Sequence, residues 1–128
     1  MDVKTTFLNG VIEEEVYIEQ PQGSEVKDIA TNVCKLKNDL YGLKQAPRAW
    51  YGRIYSFLTS LSFTKSIVDP NLYMKVMDDE PFILLLYVDD LFLTRNEKHI
   101  KDCKKKLYEE LEIKDIGLMH YFLGIEVW

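Results

Sequence analysis

The sequence predicts an α+β fold, a split βαβ-like arrangement of helices on an antiparallel sheet. Three observations carry that expectation. Trp50, Ile54, Phe57, Leu58 and Leu61 recur at helical spacing, and so do Ile100, Cys103, Leu107 and Leu111. Phe82 to Val88 is a continuous apolar, β-prone run, as a buried strand would be. Shorter β-rich runs surround these segments, and the order reads strand, helix, hairpin, helix, strand.

Met1 to Leu8 mixes apolar and polar residues and ends in the turn signal Asn9-Gly10. Val16-Tyr17-Ile18 is β-rich and stops at Pro21, and Val33 to Leu36 is a short strand candidate. Pro47 stands where the first helix begins, because its missing N–H costs nothing in a first turn. Leu72 to Val76 alternates as a strand does, and Leu91 to Thr94 is a further short strand. Asp89 and Asp90 lie between Phe82–Val88 and Leu91–Thr94, at the expected hairpin tip. Asn96 is placed to cap the second helix, Gly117 to end a loop, and Tyr121 to Val127 reads as a last strand. No internal repeat, low-complexity segment or Gly/Ser linker interrupts the chain, so its 128 residues read as one domain or a piece of one.

Hydrophobic residues make up 47% and charged residues 29%, which allows a real core and excludes a disordered tail. The best apolar run, Pro81 to Val88, has strand length, and no charged-then-apolar leader is visible; neither a membrane span nor secretion is expected. Cys34 and Cys103 show no metal-ligand spacing and read as two free thiols in a reducing compartment. The net charge of −5 speaks against a broadly basic nucleic-acid surface, but the charge is unevenly spread. Glu13, Glu14, Glu15, Glu19, Glu25 and Asp28 form an acidic stretch. Lys35, Lys37, Lys44, Arg48 and Arg53 form a basic one, for which a phosphate-facing role is at least as good a reading as a solvated face. Lys98, Lys101, Lys104, Lys105 and Lys106 read as a solvated helix face.

Asp89-Asp90 follows one of the most apolar stretches in the chain. Adjacent carboxylates at the end of a buried strand repel each other unless a cation offsets them, and an oxygen-rich site suits Mg²⁺. An exposed Asp-Asp turn explains the pair equally well. Asp2 gains meaning only if it lies on a strand beside the Tyr87 to Asp90 hairpin. Two strands would then present three carboxylates to one point, as two-metal phosphoryl transfer requires.

Five ordered segments resemble copia-type LTR retrotransposon reverse transcriptases. Met1-Asp2-Val3-Lys4-Thr5-Thr6-Phe7-Leu8-Asn9-Gly10 is similar to their first palm motif. Glu14 to Pro21 also fits the family. Leu40-Tyr41-Gly42-Leu43-Lys44-Gln45-Ala46-Pro47-Arg48-Ala49-Trp50-Tyr51 matches the second motif nearly residue for residue. Tyr87-Val88-Asp89-Asp90 matches the polymerase signature, and His120 to Val127 resembles the strand near the primer end. Thr6, where the family more often has Ala, and Gly52 after the Trp-Tyr pair are departures, and neither touches a carboxylate.

The resemblance implies a ferredoxin-like polymerase palm over residues 1–128, with fingers and thumb missing. It implies an RNA-directed DNA polymerase in which a primer 3′-hydroxyl attacks the α-phosphorus of a deoxynucleotide. Asp2 and Asp89 would be the main ligands of two Mg²⁺ ions, with Mn²⁺ as the alternative metal. The Val3 carbonyl would assist, and Asp90 would be a secondary ligand or electrostatic neighbour. The backbone N–H groups of Thr5 and Thr6 would face the triphosphate. Phe7 would stack under the sugar and exclude a ribose 2′-hydroxyl, although an ordinary core Phe is the bland alternative. Tyr41 and Gly42 would lie beside the nascent base pair.

Lys44 and Arg48 would contact template phosphate or simply be solvated, and Trp50 reads as a core anchor. Tyr87 and Val88 would touch the primer terminus, and Leu123, Gly124 and Ile125 would support the primer backbone. His99 and His120 show no partner pattern. The implied partners are an RNA or DNA template with primer, deoxynucleotides, and the rest of a Pol polyprotein: fingers, thumb, RNase H and integrase. The implied location is cytoplasmic virus-like particles, then the nucleus for integration. Asp2, one residue from the first, is expected to be poorly held because chain ends fray. An inactive fragment and a non-catalytic ferredoxin-like interaction domain derived from such an element are the alternatives. A palm-type cyclase fits the carboxylates but not Leu40 to Tyr51.

Overall fold

The computed structural model describes residues 1–12, 14–23, 33–122 and 124–126. In chain order the elements are β1 (Asp2–Val3), a 3-10 turn (Thr6–Asn9), β2 (Tyr17–Glu19), β3 (Val33–Lys35), α1 (Ala46–Ser60), β4 (Thr64–Lys65), β5 (Leu72–Met77), β6 (Glu80–Tyr87), β7 (Asp90–Thr94), α2 (Glu97–Glu110), β8 (Ile113–Lys114), β9 (Tyr121–Phe122) and β10 (Ile125–Glu126). The chain divides into two compact units, Met1–Thr6 with Phe57–Trp128, and Phe7–Ser56.

In the first unit, six strands among the described residues form one sheet in the order β4-β5-β6-β7-β1-β8, and every pairing is antiparallel. Strand alternation splits it into two faces. Val3, Tyr73, Phe82, Leu84, Leu86 and Leu91 are buried on one, and Leu58, Phe63, Cys103, Leu107 and Leu111 are buried with them. Phe63 meets Phe82 edge-on at 5.4 Å, and the Lys75 ammonium lies 4.5 Å from the Phe63 ring. Leu72, Met74, Val76, Ile83, Leu85 and Phe92 lie on the other face, exposed or half-buried. Tyr87, Asp90, Asp2 and Lys114 continue that face as one cross-strand row.

α2 starts where expected: the Asn96 side chain accepts a hydrogen bond from the His99 N–H at 3.1 Å. Its lysines sit on the outer face, and Lys101–Glu97 at 3.1 Å and Lys104–Asp115 at 2.6 Å are ion pairs. β5 and β6 join through Asp78-Asp79, both at positive φ (50° and 60°), as a two-residue primed hairpin turn requires.

In the second unit β2 and β3 pair antiparallel, Tyr17 opposite Lys35 and Glu19 opposite Val33. Ala46, Trp50 and Ile54 of α1 are buried, so Trp50 is the core anchor that its spacing suggests. Glu13, Glu25, Lys27 and Asp28 of the charged stretch lie outside the described residues.

Two expectations need correction. The hairpin tip is Val88-Asp89 and not Asp89-Asp90: Tyr87 pairs with Asp90, so Asp90 opens β7. The last strand is not continuous. It folds into β9 and β10, with Ile125 opposite Phe122, and Gly124 at φ 81° makes the reversal. Leu123 and Val127 of that segment lie outside the described residues. The two-residue strands β4 and β8 were not expected; two residues carry no readable period.

Candidate functional site

Asp2 and Asp90 are cross-strand partners on β1 and β7. The flanking backbone bonds, Val3 N–H to Asp89 C=O at 2.8 Å and Leu91 N–H to Met1 C=O at 2.8 Å, make them a pair without mutual backbone hydrogen bonds. In such a pair the Cα atoms approach to about 4.5 Å and the side chains stand closest. β1 is also paired on its other side, Asp2 with Lys114 and Val3 with Ile113, and the Lys4 N–H donates to Glu112 C=O at 2.8 Å. Asp2 is thus held between two ladders, and the fraying expected of it does not occur.

Asp89 completes the group from the turn. Burial first, then the Asp89 carboxylate, pushes the Asp90 carboxyl above the usual carboxylate range; Asp2 adds in the same direction. Asp90 therefore feels both acidic neighbours at one end of the half-exposed sheet face. Among the described residues no three His, Cys, Asp or Glu side chains converge as a ready-made metal cage. Mg²⁺ does not need one, since it keeps several waters and takes one or two carboxylates together with substrate phosphates. The donor set, all oxygen and mutually repelling, fits such an ion. Asp90 also borders an open cavity of about 730 Å³, whose walls include Phe92, Ile100, Lys101, Leu118 and Tyr121.

The Val3 carbonyl accepts a hydrogen bond from the Thr6 hydroxyl at 2.7 Å, and Thr6 is fully buried. Thr5 is exposed at φ 49°, with its hydroxyl donating to Lys4 C=O at 2.8 Å. Tyr87 and Val88 are exposed at the hairpin tip. Val88 has φ 53°, a region that a β-branched residue adopts only under strain. Gly124 and Ile125 are exposed in the β9–β10 hairpin; Leu123 lies outside the described residues.

In the second unit Phe7 and Tyr41 meet edge-on, ring centroids 4.7 Å apart at 70°. Gly42 follows at φ 92°, and Lys44 and Arg48 are exposed. The turn that carries Phe7 is stitched in place. Asn38 Nδ2 donates to Leu8 C=O at 2.9 Å, Arg53 Nη1 to Asn9 C=O at 2.8 Å, and the Asp39 N–H to Gly10 C=O at 3.3 Å. Asp39 itself is fully buried, and neither carboxylate oxygen has a hydrogen-bond partner among the described residues.

A family model described as "Reverse transcriptase (RNA-dependent DNA polymerase)" matches residues 1–128. The chain belongs to this family. Among its relatives, the "Retrovirus-related Pol polyprotein from transposon TNT 1-94" of Nicotiana tabacum is 45% identical over 129 residues, covering 99% of this chain and 10% of that protein. The corresponding polyprotein from transposon RE1 of Arabidopsis thaliana is 39% identical over 127 residues, covering 98% of this chain and 9% of its own length. A transposon Ty5-1 protein of Saccharomyces cerevisiae is 34% identical over 128 residues, covering 99% of this chain and 42% of that protein. The chain thus spans about a tenth of the plant polyproteins it matches. No solved structure matches it. These relatives bear out the copia-type resemblance along nearly all of this chain.

From sequence, Asp2 gains meaning only on a strand beside the Tyr87 to Asp90 hairpin; the sheet register sets Asp2 opposite Asp90, with Asp89 in the turn before it. Phe7 and Tyr41 meet in the second unit. Asn38 was not singled out and Arg53 was noted only as part of a basic stretch, because a side chain that serves a backbone carbonyl leaves no periodic or motif signal; Asp39, also not singled out, joins the turn through its main-chain N–H.

Proposed function

We propose that this segment is the palm of a copia-type retrotransposon reverse transcriptase and carries the catalytic carboxylates of RNA-directed DNA synthesis. The observation that carries the reading is the Asp2–Asp90 pair with Asp89 beside it, in a chain of the reverse transcriptase family. An antiparallel sheet together with two helices suits a ferredoxin-like palm.

Asp2, Asp89 and Asp90, with the Val3 carbonyl, would hold two Mg²⁺ ions, or Mn²⁺ in their place. Such ions, when bound, supply charge neutralisation at the reacting phosphate and a more acidic primer hydroxyl. The chain's own residues position the reactants. The reading gives Phe7 the sugar, Tyr41 and Gly42 the nascent base pair, and the Thr5 and Thr6 amides the triphosphate. Gly42, at φ 92°, leaves room for close backbone approach. It gives Lys44 and Arg48 the template phosphates, Tyr87 and Val88 the primer terminus, and Gly124 and Ile125 the primer backbone, with Leu123 between them. Template base pairing selects the nucleotide, so no base-reading side chain is required.

Because the chain spans about a tenth of its plant relatives, polymerase activity is proposed for a longer Pol polypeptide with fingers, thumb, RNase H and integrase portions. Its place would be cytoplasmic particles, and then the nucleus. The test is primer extension on an RNA template with Mg²⁺, by this chain and by the longer polypeptide. Extension by the longer form supports the reading. No extension by either, with folding intact, contradicts it and favours a non-catalytic interaction domain.

A further inference from the structure

The 3-10 turn that carries Phe7 ends in the carbonyls of Leu8 and Asn9, and Gly10, the next residue, adds a third. Such carbonyls have no partner within so short a helix and must find one elsewhere. Here each is taken from within the second unit: Leu8 by Asn38 Nδ2 at 2.9 Å, Asn9 by Arg53 Nη1 at 2.8 Å, and Gly10 by the Asp39 N–H at 3.3 Å. The Gly10 N–H closes the turn on Phe7 C=O at 3.0 Å. Asn38 lies three residues before Tyr41, whose ring Phe7 meets at 4.7 Å. Arg53 lies on α1 one turn from the fully buried Trp50. The turn is thereby fixed to the helix on one side and to the Tyr41 segment on the other.

We infer that Arg53 and Asn38 are positioning residues for the Phe7–Tyr41 pair, and that through it they set discrimination between deoxyribose and ribose. The inference rests on the reading of Phe7 as the residue under the nucleotide sugar. Neither side chain need touch the nucleotide. Each fixes a carbonyl, and the carbonyls fix the direction in which Phe7 leaves the turn. A sugar clash of one hydroxyl is sensitive to small displacements of the ring that makes it. Arg53 is suited to the task because its planar guanidinium holds direction better than an ammonium does.

The test is single-nucleotide primer extension on an RNA template by the full polypeptide, with a deoxynucleotide and its matching ribonucleotide measured separately. Arg53→Met and Asn38→Ala are each expected to lower the ratio of the two kcat/KM values by about tenfold. Arg53→Lys, which keeps a donor, is expected to restore part of it. Amide exchange at Phe7 to Gly10 should quicken in Arg53→Met and Asn38→Ala. Asn38 is exposed, so its alanine variant tests the inference even if Arg53→Met fails to fold. Slower extension with an unchanged ratio would overturn the inference and mark Arg53 as a structural or phosphate-binding group. Absence of extension by the unsubstituted polypeptide would overturn the polymerase reading itself, and this inference with it.

Discussion

Asp2 on β1 and Asp90 on β7 face each other across a pair that lacks mutual backbone hydrogen bonds, so both carboxylates stand on the same sheet face at the closest cross-strand spacing. Like charges placed directly opposite weaken a sheet. The arrangement costs stability, and on the reading proposed above the cost falls where metal ions would bind. Burial and both acidic neighbours push the Asp90 carboxyl above the usual carboxylate range, in the same sense.

The Thr6 hydroxyl donates to the Val3 carbonyl at 2.7 Å inside the protein. Thr6→Val keeps the shape and removes the donor. It is expected to lower stability by about 1 kcal/mol, read as a shift in the urea midpoint without a change in slope. An unchanged midpoint would show that the bond contributes nothing.

Val88 is the first of two turn residues and sits at φ 53°, where glycine is the usual choice. Val88→Gly is expected to stabilise the fold by about 1 kcal/mol, since the strain removed exceeds the added freedom of the unfolded chain. Thermal unfolding checks it, and a lower midpoint would mean that contacts of the Val88 side chain outweigh the backbone strain.

Asp39 is fully buried, with both oxygens unpartnered among the described residues; burial first, and then Glu14, raises its carboxyl above the usual range. The folded state then keeps a proton that the unfolded chain releases. This contribution to stability is present below the unfolded value of 3.8 and is lost as pH rises through the raised folded value. Asp39→Asn removes the ionisation, so it should flatten that decline and raise the neutral-pH unfolding midpoint by about 2–4 °C. A variant that declines with pH as steeply as the parent would contradict the assignment.

Much of this was legible in the sequence, where period and chemistry act locally. The run Phe82–Val88 gives a strand as far as Tyr87, because its residues are β-formers, though only Phe82, Leu84 and Leu86 are buried; the Asn96 cap follows from its position before a helical stripe. The register that sets Asp2 against Asp90 was not legible; it depends on pairing between segments far apart in the chain. The one-residue shift of the hairpin tip escaped for a related reason. Asp-Asp is good turn chemistry, but the ladder closes on Tyr87 and Asp90 and forces Val88 into the left-handed region. The Asn38, Asp39 and Arg53 stitching was invisible because its acceptors are backbone carbonyls.

The most direct test of the central claim is primer extension by an active, full-length form carrying Asp89→Asn, with circular dichroism and the unfolding midpoint measured on the same preparation. The substitution keeps size and polarity but removes the charge that a metal would use. Extension is expected to fall by about 10³-fold or to background, with the fold unchanged. Extension near the unsubstituted level by a folded Asp89→Asn protein would contradict the carboxylate site.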